Sequence, residues 1–169
     1  MRSTNPSPAW ISLLVSDVPA VRTLADIAHA GLPERAEVFA ERIRLFPEGC
    51  RKLMYDGALA AYGIAHPWRL GDPPPLDTLL GTLPPTADCL HLHDVVVAPE
   101  LRGTSVSAQY IEAMITVTRA RRLPALTMVS VYGTSRLWSR FGFVESNASA
   151  LAAKLAGYGA SARYLVRTL

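Results

Sequence analysis

The sequence predicts an α/β fold in which a mixed, mostly antiparallel sheet is flanked by helices. Three observations lead there. Short apolar runs that read as strands are interleaved with stretches whose apolar residues recur at helical spacing. Three of the strands, Cys50–Tyr55, Ala58–His66 and Cys89–Ala98, follow one another with no helix between them, which argues for a mixed sheet covered by helices. The first two of these flank Asp56-Gly57, a pair favoured in the primed turns of tight hairpins.

The elements follow in order. Residues 1–9 are polar and rich in proline and serine, so a flexible N-terminal tail is expected there. Trp10–Ser16 reads as a strand. Asp17 is placed to cap the next helix and Pro19 suits its first turn, with Val18, Val21, Leu24, Ala25 and Ala28 on one stripe. Gly31 stops that helix. Pro33, Glu34 and Glu37 open another, whose stripe is Ala36, Phe39, Ala40, Ile43 and Phe46. After the hairpin, residues 67–87 form a proline-rich loop with one helical turn expected at Asp77–Leu80. The strand Cys89–Ala98 leads through a turn at Pro99–Gly103 into an amphipathic helix with Val106, Tyr110, Ile111, Met114 and Ile115 on its apolar side. Ala125–Val131 reads as a strand, Thr134–Arg140 as a short helix and Phe143–Glu145 as a strand. Asn147 is placed to cap a helix through Lys154, and Ala162–Thr168 reads as the last strand.

Composition excludes several classes of function. The 169 residues fit one domain, expected over 10–169. At 50% hydrophobic and 18% charged the chain is not disordered, and a net charge of +3 gives no ground for a nucleic-acid partner. Cys50 and Cys89 are too few for a disulfide scaffold and read as reduced thiols of a cytoplasmic protein. No run approaches the roughly 18 apolar residues that a membrane helix needs, so no membrane partner is expected.

The chemistry concentrates where the strand ending in Val95-Val96-Val97 turns through Arg102-Gly103-Thr104-Ser105-Val106-Ser107 into the helix. Small residues at such a turn let an anion approach backbone N–H groups, and the helix dipole favours negative charge there. The lysine-bearing P-loop and the Gly-x-Gly-x-x-Gly pattern are both absent, so neither an NTPase nor a dinucleotide site is indicated. His91 and His93 lie two apart on the same strand. Strict alternation puts both on one face with Val95 and Val97, and Asp94 on the other. An imidazole titrates near neutral pH and suits a general base, whereas a packed, hydrogen-bonded histidine is the structural alternative.

The stretch Pro99-Glu-Leu-Arg-Gly-Thr-Ser-Val-Ser107 after the valine-rich strand resembles the acetyl-CoA-binding motif of the GNAT family of N-acetyltransferases. Leu137-Trp138-Ser139-Arg140-Phe141-Gly142-Phe143 resembles that family's second motif, Leu-Tyr-x-Lys-x-Gly-Phe, and the order of elements over 10–168 follows the family's. The resemblance implies a GNAT-like fold with acetyl-CoA as co-substrate. It places the pantetheine arm on the strand at Val95, Val96 and Val97, and the pyrophosphate on Arg102, Gly103, Thr104, Ser105, Val106 and Ser107. His91-Leu92-His93 resembles the His-x-His of the serotonin N-acetyltransferases, which implies that the pair takes the amine proton through water. Two departures stand out. The family has glycine at Ser105 and glycine or alanine at Ser107, where a serine hydroxyl either adds a bond to phosphate or its Cβ crowds the backbone. The family's acidic tyrosine falls on Trp138, whose indole cannot donate a proton in this range, leaving Tyr132 and Tyr110 as stand-ins for that role. The reading is an acetyl-CoA-dependent N-acetyltransferase acting on a small primary amine, with His93 and His91 as catalytic residues, Trp138 against the cofactor and no metal. A homodimer is left open. The rival reading, supported by Ser105, Ser107 and Trp138, is a catalytically degenerate acyl-CoA-binding or regulatory domain.

Overall fold

The computed structural model describes residues 8–169, so most of the tail expected over 1–9 lies outside the described residues. Strands β1 (Trp10–Ser12), β2 (Arg51–Tyr55), β3 (Ala58–Trp68), β4 (Cys89–Val97), β5 (Ala125–Ser130), β6 (Val144–Glu145) and β7 (Arg163–Thr168) form one sheet in the order β1-β2-β3-β4-β5-β7-β6. Only β4 and β5 pair in parallel. Helices α1 (Val18–Ala28) and α2 (Ala36–Leu45) cover one face, packing Val21, Leu24, Phe39 and Ile43 onto Tyr62, Ile64 and Val96. Helix α3 (Val106–Ala120) covers the other, where Tyr110, Ile111 and Met114 meet Leu90, Leu92 and Leu126. The short helices α4 (Ser135–Ser139) and α5 (Leu151–Leu155) connect the later strands.

The hairpin forms as its turn chemistry requires. Asp56 (φ 49°) and Gly57 (φ 78°) are both left-handed, the signature of a type I′ turn, and Tyr55 pairs with Ala58.

Other local expectations give way to tertiary partners. The first strand ends at Ser12 because Val15–Asp17 is a 3-10 turn. The Asp17 carboxylate does not cap α1. It turns back to accept the Leu14 N–H (2.8 Å) and pairs with Lys52 on β2 (2.6 Å). Asn147 likewise caps nothing, since α5 begins only at Leu151 with Ala150 before it. The helical turn expected at Asp77–Leu80 does not form. Asp77 is left-handed (φ 53°), and α2 holds this stretch from outside. Glu41 accepts the N–H groups of Leu80 and Gly81, and the fully buried Arg42 guanidinium donates to the Thr78 carbonyl at 2.8 Å. External partners for backbone groups remove the need for internal ones. Helix α2 itself begins at Ala36, so Glu34 lies before it and its side chain is free to point elsewhere.

The feature that shapes the site is a β-bulge. Ile64 pairs with Asp94 and Ala65 with Leu92, so His93 is an extra residue on β4 with no partner on β3. It overturns the alternation expected along this strand. His93 and Asp94 both turn toward α1 and α2, on the same face as His91, while Val95 packs on the α3 side.

On that α3 side, the Tyr110 ring lies against Gly63 and its hydroxyl donates to the Gly49 carbonyl at 2.8 Å. A Cβ on Gly63 would collide with the buried Tyr110 ring. We expect Gly63→Ala to lower the unfolding free energy by about 1–3 kcal/mol, the usual range for overpacking, as measured by urea denaturation.

Candidate active site

Strands β4 and β5 pair at Leu90–Leu126, His91–Thr127 and Leu92–Met128 and then part. A cleft of about 660 Å³ opens between them, walled by Val95–Val97 on one side and Met128–Val131 on the other. The Ala98 N–H bonds to Ala60 on β3 at 2.8 Å. Strand alternation therefore turns the N–H and C=O groups of Val97 and Val95 away from β3 and into the cleft. Those of Val96 face β3, and its side chain is buried in the core.

One end of the cleft lies at the turn into α3. Gly103 is left-handed (φ 75°), and a Cβ built on it meets nothing within 4 Å. Helix α3 starts three residues later, and the N–H groups of its first turn have no intrahelical acceptor. Arg102, Gly103, Thr104 and Ser107 line the cleft here, and Arg140 lines it from the end of α4. Ser105 and Val106 do not line it. The Ser105 hydroxyl accepts from the Gln109 amide (3.1 Å), and Val106 is a core residue whose carbonyl accepts the Trp10 indole N–H at 3.0 Å. Trp138 is buried against Phe141 and presents an apolar wall to the cleft.

The other end holds two histidine–carboxylate pairs. His93 Nε2 lies 2.9 Å from Glu34 Oε1, both side chains being under 10% exposed (3% and 7%). The second Glu34 oxygen accepts the Asp77 N–H at 3.0 Å. Burial alone would raise the Glu34 carboxyl. The charge and hydrogen bond of His93, with the Asp77 N–H and the nearby Arg42, outweigh it and pull the pKa down to about 2. An ionised carboxylate only accepts, so Nε2 of His93 carries the hydrogen that Glu34 receives, and Nδ1 is the ring nitrogen left over. The second pair uses Asp94. One of its oxygens meets His29 Nε2 at 2.9 Å and the other accepts the Tyr62 hydroxyl at 2.6 Å. Burial would lower the His29 pKa, but the hydrogen bond and charge of Asp94 prevail and raise it. Tyr132, itself left-handed (φ 55°), stacks on the His29 ring with centroids 5.9 Å apart.

His91 is not part of this constellation. It is buried beside Thr127, whose hydroxyl lies 3.0 Å from Nδ1, and it does not line the cleft. Burial, reinforced by His93 and Arg42, lowers its pKa to about 3, so it stays neutral at physiological pH. Of the two tyrosines, Tyr110 is buried away from the cleft and Tyr132 lines it.

Glu34 and His29 were not singled out from the sequence. They lie 59 and 65 residues from their partners, so no spacing pattern links them, and Glu34 looked like an ordinary first-turn acid of a helix. The one available signal was the short break between α1 and α2, which faces the end of β4.

A sheet whose central parallel strands part beside a helix N-terminus is the fold of the GNAT acyltransferases. No protein-family model matches the sequence, and no curated protein matches it either. Solved structures do match. The loading GNATL domain of CurA from Lyngbya majuscula superposes with a TM-score of 0.76 at 14% identity, covering 95% of this chain and 96% of that one. Naa50 from Arabidopsis thaliana, solved with the bisubstrate analogue CoA-Ac-MVNAL, gives 0.71 at 7% identity over 97% and 100% of the two chains. PaiA N-acetyltransferase from Thermoplasma acidophilum, in complex with coenzyme A, gives 0.67 at 9% identity over 97% and 100%. The likeness at these identities is one of fold. Among the described residues no group of three or more His, Cys, Asp or Glu is placed to hold a metal ion, and no helix is long and apolar enough to cross a membrane.

The Glu34–His93 pair gives a pH-dependent stability. The folded-state pKa of about 2 lies below the ordinary 4.5, so the stabilisation is fully present above pH 4.5 and is lost as pH falls toward 2. Glu34→Gln should therefore lower Tm most at neutral pH, with the gap to wild type closing over that window. Thermal denaturation across pH 2–7 reads this out, and an equal gap at both ends would assign Glu34 a purely steric role.

Proposed function

We propose that the chain is an acetyl-CoA-dependent N-acetyltransferase that acetylates a small primary amine. The observation that carries the reading is the parting of β4 from β5, which leaves the N–H and C=O groups of Val95 and Val97 without a strand partner between the turn into α3 and a buried His–carboxylate pair; of these the Val97 carbonyl accepts a hydrogen bond from Arg102 Nε at 3.4 Å. Several structures of the same fold contain coenzyme A or an analogue of it, which supports the same cofactor here.

The residues fit that cofactor. The Arg102–Ser107 turn and the first turn of α3 would hold its pyrophosphate. Arg102 and Arg140 would add charge, and the backbone of Val95 and Val97 would hold the pantetheine arm beside Trp138. Acetyl-CoA, when bound, supplies the acetyl group as an activated thioester. The chain's own groups do the rest. His93 Nδ1 accepts the proton that an ammonium must lose before its nitrogen can attack, and ionised Glu34 holds the ring through Nε2 and stabilises the imidazolium formed. Positioning and the oriented backbone donors of β4 supply most of the acceleration. His91 serves by packing.

The small size of the acceptor is supported by the proline-rich loop. Asp77 bonds Glu34 and Arg35, and the loop places Leu76 as a wall on the side of the cleft formed by α1 and α2.

Two experiments test the reading. Acetyl-CoA should raise Tm by mass action. Gly103→Asn and Gly103→Asp can both adopt the left-handed backbone, but only the aspartate adds negative charge against phosphate. The shift should survive in the first variant and vanish in the second; its survival in both would remove the phosphate from this turn. For the base, His93→Ala should cost about 10²–10⁴-fold in kcat/KM and abolish the acid limb of its pH profile, with the acetyl-CoA shift retained. An unchanged limb at near wild-type rate would take the histidine out of the mechanism.

A further inference from the structure

The acceptor end of the cleft has its own chemistry, and it restricts the amine further than size does. Its walls are Ala28, Leu32 and Leu76 with the rings of Tyr132 and Tyr158. Two carboxylates reach it, and all four of their oxygens are engaged. Glu34 holds His93 and the Asp77 N–H, and Asp94 holds His29 and the Tyr62 hydroxyl. The Tyr158 hydroxyl is bonded to the Pro74 carbonyl. The arginines that line the cleft, Arg102 and Arg140, sit at the phosphate loop and at the end of α4, and no lysine lines it.

We infer that this subsite selects amines with a single positive charge and an apolar body, and discriminates against polyamines, acidic amino acids and peptides. The inference rests on the acetyltransferase reading and deepens it. The reacting nitrogen has a place at His93, which lines the cleft and whose Nδ1 is the ring nitrogen left after Nε2 is committed to Glu34. A second ammonium has none. Every carboxylate oxygen it could reach already accepts a bond from His93, the Asp77 N–H, His29 or Tyr62, so a second ammonium would have to share that oxygen and weaken the bond that holds the buried partner. An acceptor carboxylate or phosphate meets no cation at this end other than His29, which is already paired. On the α1–α2 side a peptide backbone meets the side chains of Ala28, Leu32 and Leu76, which offer its N–H and C=O groups no hydrogen bond. An apolar chain, in contrast, displaces water from Leu32, Leu76 and the half-exposed Tyr132 ring, and this contributes to binding in proportion to the area covered.

Hexylamine and spermidine share a primary amine on a similar chain and differ in internal charge, so together they isolate the effect. Steady-state thiol release with acetyl-CoA should give hexylamine a kcat/KM at least about tenfold above those of spermidine, glutamate and a short peptide with a free N-terminus. Leu76→Asp places an uncommitted carboxylate in the apolar wall and should shift the hexylamine-to-spermidine ratio toward spermidine by about tenfold. Spermidine, glutamate or the peptide matching hexylamine in the wild-type protein would overturn the inference and leave the acetyltransferase reading standing. An unchanged ratio in folded Leu76→Asp would do the same, and the wild-type ranking decides if that variant does not fold. Absence of both an acetyl-CoA-induced Tm shift and acetylation of any of the four amines would overturn the parent reading, and this inference with it.

Discussion

A single extra residue in β4 governs the geometry of the site, because the bulge at His93 lies where β4 stops pairing with β5. A bulge bends its strand and sharpens the local twist. Before it, Leu90 and Leu92 pack on α3; after it, Val95 does so, while the adjacent His93 and Asp94 both project toward α1 and α2. No regular strand can present two neighbouring side chains to one face. The two histidine–carboxylate pairs depend on that local break, and so does the way the cleft divides. Strand backbone lies free on one side of the bulge, and titratable groups gather at it.

The groups gathered there are costly to bury alone and are therefore bound to each other. An ionised carboxylate inside a protein needs hydrogen-bond donors, and Glu34 and Asp94 each have two. One donor to Glu34 is the backbone of Asp77, in the proline-rich loop. The loop that walls the cleft at Leu76 is thus tied to the residue that hydrogen-bonds His93. Arg42 and Glu41 hold the same loop from α2 by binding the Thr78 carbonyl and the Leu80 and Gly81 N–H groups. Tyr132 reaches His29 only because the chain after β5 runs through two successive left-handed residues, Tyr132 (φ 55°) and Gly133 (φ 73°). A non-glycine residue in that conformation at the rim of a cleft is a common mark of a functional constraint.

The buried histidines divide by environment. His66 and His91 lie side by side in the sheet interior, ring centroids 5.6 Å apart and planes tilted by 54°, where burial lowers both pKa values and keeps the rings neutral. His93 and His29 each meet a carboxylate at the cleft. Two positions along β4 therefore separate a histidine packed beside a hydroxyl from one paired with a carboxylate at the cleft, and the difference lies in which partner each ring meets.

What the sequence determined by itself is local. The helical stripes, the Asp56-Gly57 turn, the valine-rich strand and the small-residue turn into α3 are written in residue type and spacing, and the structure realises each near its expected place. The turn over residues 102–107 is legible for the same reason, since φ at Gly103 and the start of a helix are properties of a few consecutive residues. The tertiary structure alone decided where those elements meet. Alternation assigned Asp94 to the far face because a one-residue bulge leaves no reliable sequence mark. Asp17 and Asn147 fit helix caps in composition, yet Asp17 found Lys52 on a neighbouring strand and α5 began four residues past Asn147. Glu34 and His29 entered the site from a break between two helices, about sixty residues from their partners. Pairings at that distance are set by the register of β4 against β3 and by which carboxylates burial leaves in need of a donor, and neither quantity exists until the sheet has formed.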